Sequence, residues 1–256
     1  MADFLGFHHG TRLKESGETP VLVQVSQSAV VALLGTAPAA DADAFPLNTP
    51  VLIAGDPAKA ALLGATGTLK DAVDDVFDQI NAYTIIIRVE EGADLAETYS
   101  NLVGDGTLLT GVHALKKCEP QLSMKPRLIA APGFTSGDGV TANPVVAELI
   151  GVLEEIKAVA FVDGPNTTDA DAIAYRDLIN SQRVYVIDPM VQVWDTVADD
   201  WVSRPASARV AGLTAKTDVN YGFWWSPSNK VINGIGGIAR PVRYGLQTDY
   251  LNENHV

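Results

Sequence analysis

Short apolar runs alternating with amphipathic segments constrain this chain more than any other feature. PVLIAG (50–55), TIIIRVEE (84–91), RLIAAPG (127–133), AVAFVDGP (158–165) and RVYVIDP (183–189) are each nearly continuous in apolar residues. That pattern belongs to strands covered on both faces. Helical segments lie between them. Thr68 and Asp71 have capping-box spacing ahead of Leu69, Val73, Val76, Phe77 and Ile80, which recur at helical intervals. Asn143-Pro144 reads as a cap and a first helical residue, followed by a stripe of Val145, Val146, Leu149, Leu153 and Ile156. Thr168 with Asp171 predicts the start of a helix ending near Asn180, and ETYSNLVG and TGVHALKKC predict short helices. Strands and helices in alternation predict an α/β fold: a mainly parallel, Rossmann-like sheet with helices on both faces. VQVWDTVADDWVSRP (191–205) breaks the rhythm as a hairpin, before a helix around Ala206–Thr217.

The flanking segments behave differently. Residues 1–19 have no helical periodicity and end at Glu18-Thr19-Pro20, so they read as an extended N-terminal arm. Val21, Val23 and Val25 alternate like a strand, the apolar run Ala29–Leu34 closes at Gly35, and DADAFPLNTP (41–50) reads as a loop. The expected organisation is an arm over 1–19, an N-terminal α/β region over 20–122, and an α/β domain over 123–256. There are no internal repeats.

Charge narrows the range of partners. The 256 residues carry 31 acidic and 18 basic side chains, a formal net charge of −13. A broad contact with nucleic-acid phosphate needs a basic face, so nucleic acid is not an expected partner. The start, MADFLGFHHG, lacks the basic and apolar regions of a signal peptide, and no run reaches membrane-spanning length; no membrane insertion is expected. Cys118 is the only cysteine, which rules out an intrachain disulfide and fits maturation in a reducing compartment. It reads as a small buried residue, because no ordered base partner can be named for a nucleophile.

Candidate chemistry is sparse. Asp163 and Asp188 fall at strand C-termini, where parallel sheets place ligands. Asp-Gly and Asp-Pro also make turns and cap the next helix, and nothing else converges on these carboxylates. GATGTLK (64–70) and INGIGGI (232–238) miss the phosphate-loop spacings, and GFTSG (133–137) misplaces Ser136 for a nucleophile elbow. His113 has no second metal ligand at i+4. Asp71, Asp74, Asp75 and Asp78 share a helix face, which reads as solvated or partner-facing and, less simply, as a cation site. No catalytic, metal or cofactor site assembles from these residues.

Several stretches read together resemble a known family. FHHGTRLKE (7–15), FPLNTPVLIAG (45–55), IIIRVEEG (85–92), KPRLIAAPG (125–133), AYRDLINSQRVYVIDP (174–189), VWDT (193–196) and SPSNKVINGIGGI (226–238) occur in this order. Together they resemble the tail sheath proteins of contractile-tailed bacteriophages, of the short type also found in R-type bacteriocins. The resemblance implies a structural, non-enzymatic subunit with a subtilisin-like sheet topology and no catalytic triad. It implies homo-oligomeric six-fold rings in a helical tube around a tail tube, anchored on a baseplate. The expected place is the virion tail, after assembly in the host cytoplasm. Contraction drives the tube through the bacterial envelope during genome delivery.

Sheath subunits are linked by extended arms that add strands to neighbours. The resemblance therefore assigns GFHHGTRLKES (6–16) to partner binding, through His8, His9, Thr11, Arg12, Leu13 and Lys14. Adjacent histidines on a strand point to opposite faces, so His8 and His9 do not chelate one ion together. The family's chains normally continue beyond a segment like TDYLNENHV (248–256) into a C-terminal domain, which this sequence lacks. Two other classes remain open: a Rossmann-like hydrolase or dehydrogenase using Asp163 or Asp188, and an adaptor or binding module.

Overall fold

β1 (Val31–Thr36) is buried at every position and sits inside a six-stranded sheet. The structure, a computed structural model, describes residues 27–196, 198–243 and 245–256. The other strands of that sheet are β2 (Pro50–Ala54), β3 (Tyr83–Val89), β4 (Leu128–Ala130), β5 (Val159–Asp163) and β6 (Val184–Ile187), in the order β2-β3-β1-β4-β5-β6. β1 pairs in parallel with β3 and β4, and β4–β5 and β5–β6 are also parallel. The expected mainly parallel α/β sheet is present. β2 is the exception. It runs antiparallel to β3 at the sheet edge, with Val51 and Leu52 only half-buried, so its apolar run is not that of an interior strand.

Alternation along the strands divides the core in two. Ala32, Leu34, Ile85 and Ile87 face one side, and Val31, Leu33 and Ile86 face the other. The first side is covered by α3 (Leu95–Val103), α5 (Pro144–Ile156) and α6 (Asp169–Ile179), with a 3-10 segment over Gly111–Lys117 running into α4 (Cys118–Leu122). The second is covered by α2 (Leu69–Phe77) and α7 (Ser207–Tyr221), with short α1 (Pro57–Ala61) beside them. α8 (Leu246–Glu253) closes the described chain.

Local chemistry explains most element starts. The Asn143 side chain accepts from the N–H groups of Val145 and Val146, with Pro144 at the first helical turn. Thr168 accepts from the N–H of Asp171. The capping box at Thr68 does not form: Thr68 has helical backbone angles and makes no side-chain cap bond, although α2 begins where expected. Its hydroxyl instead accepts from the N–H of Thr36, 3.3 Å away, tying α2 to the end of β1.

The hairpin is present as β7 (Val191–Asp195) and β8 (Asp200–Arg204), antiparallel with Trp194 opposite Trp201. A third strand, β9 (Gly237–Ile238), joins β7 from the INGIGGI segment (232–238), for which no strand was expected. The large sheet also crosses the expected division at 122/123, because β1 hydrogen-bonds to β3 on one side and β4 on the other. Strands from both stretches therefore share one core.

Candidate functional site

His8, His9, Thr11, Arg12, Leu13 and Lys14 lie outside the described residues, as does the alternation Val21–Val25. The strand-end carboxylates are described, and both are held by the protein itself. Asp163 is 1% exposed. It accepts from the Ser207 N–H at 3.0 Å, the Ser207 hydroxyl at 2.9 Å and the Thr135 hydroxyl at 3.2 Å. Its own N–H donates to the Thr135 hydroxyl at 3.0 Å. The residue before α7, Ala206, has no side chain that can cap, so a carboxylate 44 positions upstream takes that role. Burial pushes the Asp163 carboxyl up, against the pull of the Ser207 and Thr135 bonds.

Asp188 accepts from the Asn166 N–H at 2.6 Å and pairs with Arg240, which also pairs with Asp169. The turn-and-cap reading of both aspartates thus holds only in kind. Their partners are remote rather than in the next helix.

The acidic face of α2 is solvated at Asp71, Asp74 and Asp78, as expected, and the correction is confined to Asp75, which is buried. Arg209, 2% exposed on α7, approaches Asp75 at 2.6 Å and Asp78 at 2.7 Å. Arg204 approaches Asp71 at 3.2 Å, and Lys70 pairs with Asp74. Arg209 also donates to the Asn233 carbonyl at 2.8 Å, while Gln79 accepts from the Asn233 N–H and donates to its carbonyl, both at 2.9 Å. The cluster therefore bolts α2, α7 and the 233 loop together. Burial raises Asp75 to about 7, with Arg209 pulling it back down.

Remaining candidates are likewise absorbed. His113 is buried with its Nε2 3.0 Å from Glu148 Oε1. Cys118 is fully buried and burial pushes its thiol up to about 12, as suits a small core residue and not a nucleophile. Among the described residues, no group of three or more His, Cys, Asp or Glu side chains is placed to hold a metal ion. The Ser207 hydroxyl is bonded to Asp163, and outside the arm the chain's histidines are His113 and His255. Among the described residues, no serine–histidine pair stands ready for acyl transfer.

What the surface does present is apolar. Gly222 ends α7 with φ +96°, and Phe223 (71% exposed), Trp224 (73% exposed) and Trp225 follow it. Phe223 meets Trp224 edge-on at 5.3 Å, and Trp225 stacks on Tyr221 at 5.8 Å with the Lys230 ammonium 4.5 Å from that ring. This loop borders a groove of about 1090 Å³ over β5 and β6. Sequence reasoning passed over these aromatics, and Arg209 and Arg240 with them. Arg209 did leave a signal: it stands among Ala208, Ala211 and Gly212, where a lone arginine in a small-residue helix face implies a buried counter-charge.

A parallel-rich α/β body whose strand-end carboxylates are consumed by its own packing is scaffold-like. Residues 108–256 match the phage tail sheath protein central domain. The chain belongs to the phage tail sheath protein family. It is 35% identical over 245 residues to a prophage major tail sheath protein of Pseudomonas aeruginosa strain UCBPP-PA14, covering 94% of this chain and 62% of that protein. It is 32% identical over 265 residues to the tail sheath protein of Escherichia phage P2, covering 98% of this chain and 65% of that one. The fold is similar to a chain of the contracted helical sheath of the anti-feeding prophage, with a TM-score of 0.61 at 20% identity, covering 94% of this chain and 61% of that chain. The present chain thus spans less than two thirds of the length of these relatives.

Proposed function

We propose that this chain is a structural subunit of a contractile phage tail sheath. Copies polymerise helically, as six-fold rings around a tail tube and on a baseplate, and contract together to drive the tube through the bacterial envelope. The observation that carries this reading is family membership, with relatives named tail sheath proteins aligned along 94% and 98% of the chain. The internal pairing of Asp75, Asp163 and Asp188 supports a subunit without catalysis, since these three carboxylates are already held by the protein's own groups. In the same reading the sheet has subtilisin-like topology, the protein resides in the virion tail after assembly in the host cytoplasm, and no nucleotide is consumed. Energy for contraction comes from two packings of each subunit with its neighbours, the contracted one burying more surface.

Within this reading, residues 1–19 form the arm that pairs with a neighbour's sheet edge, through the backbone of His8–Lys14. The test is sheath length by negative-stain electron microscopy of the full-length protein. Deleting residues 1–19 leaves the body folded and abolishes continuous sheath. Replacing His8 and His9 by threonine, which keeps strand propensity, changes little. A proline within Thr11–Lys14 is far more damaging, because it removes a ladder donor. If the double threonine variant fails as badly as the deletion, the arm acts through specific histidine chemistry and the strand-addition reading is wrong. A hydrolytic activity lost in Asp163→Asn or Asp188→Asn would overturn the structural role itself.

A further inference from the structure

Asn233-Gly234, within the INGIGGI segment (232–238), is the one Asn-Gly pair in the sequence. The fold demands glycine at 234. Its φ is +74°, and a methyl group there would collide with the Asp78 carboxylate and the Arg209 guanidinium. That demand has a chemical cost. Asparagine is thermolabile, and most so before glycine, whose nitrogen has no side chain beside it to shield it. The reaction is a ring closure. The Gly234 nitrogen bonds to Asn233 Cγ, and its proton departs with the side-chain nitrogen as ammonia, leaving a succinimide. Water then opens the ring at either carbonyl, giving aspartate or isoaspartate.

Both atoms that must meet are held in place. The side-chain amide that contains Cγ donates to the Asp78 carbonyl at 3.1 Å. The Gly234 nitrogen shares a rigid peptide plane with the Asn233 carbonyl oxygen. That oxygen accepts from Gln79 Nε2 at 2.9 Å and from Arg209 Nη1 at 2.8 Å, and the Asn233 N–H donates to Gln79 Oε1 at 2.9 Å. Gln79 is 5% exposed and Arg209 2%, so water does not replace the carbonyl if the plane turns away. Any rotation that carries the nitrogen onto Cγ therefore breaks buried hydrogen bonds. We infer that Asn233-Gly234 is a spontaneous deamidation site gated by this clamp, and that its isoaspartyl product no longer fits the clamp. Isoaspartate inserts a carbon into the main chain between the N–H and C=O of residue 233, so the two-point match to the Gln79 amide is lost. The clamp lies just upstream of β9, so its loss is felt where β9 pairs with β7. The inference does not rest on the sheath reading.

The test is conversion at residue 233 in the whole chain at pH 8 and 37 °C, read by peptide mass spectrometry. Asn180-Ser181, at the end of α6, serves as the internal control. Conversion at 233 is expected to be at least tenfold slower in the folded chain than in the chain unfolded in guanidinium chloride, because a clamped site reacts only through local opening. Gln79→Ala is expected to raise the folded-state rate at least fivefold at 233 and to leave Asn180 unchanged. Equal rates in the folded and unfolded chain overturn the inference. So does a Gln79→Ala variant whose rate at 233 is unchanged, or rises no more than that at Asn180. If Gln79→Ala does not fold, the comparison of folded and unfolded wild-type chain decides alone. The product is tested by hydrogen exchange. The Gly236 amide donates to the Gln192 carbonyl at 2.9 Å, and in the chromatographically separated isoaspartyl form it is expected to exchange at least fivefold faster. Unchanged exchange there would show that the product re-enters the clamp, which overturns the inference.

Discussion

Asp163 shows how a single carboxylate can look catalytic and be structural. Its oxygens take up donors at the start of α7 that no local residue can satisfy. Asp163→Ala leaves the Ser207 N–H and two hydroxyls buried without an acceptor, which is expected to lower stability by about 2–4 kcal/mol, read as a fall in urea midpoint at unchanged slope. Asp163→Asn keeps an acceptor and can donate to either hydroxyl, so its loss is expected to be below about half of that. Asp75 gives a pH signature. Its folded-state pKa is raised to about 7 by burial. The folded protein therefore holds that proton more tightly than the unfolded chain. Its contribution is full below about pH 4 and is lost as pH rises through 7. Asp75→Asn, which does not ionise, is expected to gain on the unmodified protein in urea midpoint between pH 4.5 and 7.5. A constant or widening deficit would show that Arg209 keeps Asp75 ionised throughout. Beyond the hint of a buried counter-charge that Arg209 gives by standing among small residues, none of these partners was legible in the sequence. The partners lie 44 positions apart for Asp163–Ser207, 131 for Asp78–Arg209 and 52 for Asp188–Arg240. Spacing rules see one turn of helix, not a tertiary contact.

The helices and strands were far easier to read, because their signals are local. Asn143-Pro144 fixed the start of α5, and the apolar runs marked β3 to β6. The sequence was a weaker guide where two environments share one pattern. An apolar pentapeptide suits an interior parallel strand and an antiparallel edge equally, which is why β2 differed, and β9 is two residues long with glycine at its start. Thr68–Asp71 had the right spacing but the hydroxyl found a better partner in Thr36. The working cap at Asn143 carries more than its helix. Besides accepting from Val145 and Val146, its amide donates to the carbonyls of Phe134 at 3.0 Å and Ser136 at 2.9 Å. Asn143→Ala is expected to destabilise by about 2–3 kcal/mol, and Asn143→Asp, which keeps the cap acceptor but sets a buried carboxylate oxygen against two carbonyls, by at least as much. Thermal unfolding of the two variants checks the order.

For the protein entire, charge and connectivity set the terms. A net charge of −13 repels like subunits at long range. Salt shortens the Debye length from about 30 Å at 0.01 M to about 8 Å at 0.15 M. Self-association of this chain is therefore expected to rise with ionic strength at fixed concentration, measured by sedimentation velocity from 0.02 to 0.5 M salt. Association that weakens over that range would mean that specific ion pairs, not apolar faces such as Phe223–Trp225, hold the copies together. Connectivity has a different consequence. Ser28 and Val256 border the same groove, so the described body opens and closes at one place. Its wiring resembles a loop pinched at the neck. A short Gly-Ser bridge from Val256 to Ser28 would close the ring, and the exposed Asx turn at Asp138–Thr141 offers a place to reopen it. Such a permuted chain would keep every strand pairing of the large sheet. It would also present the groove with a covalent cover chosen by the engineer.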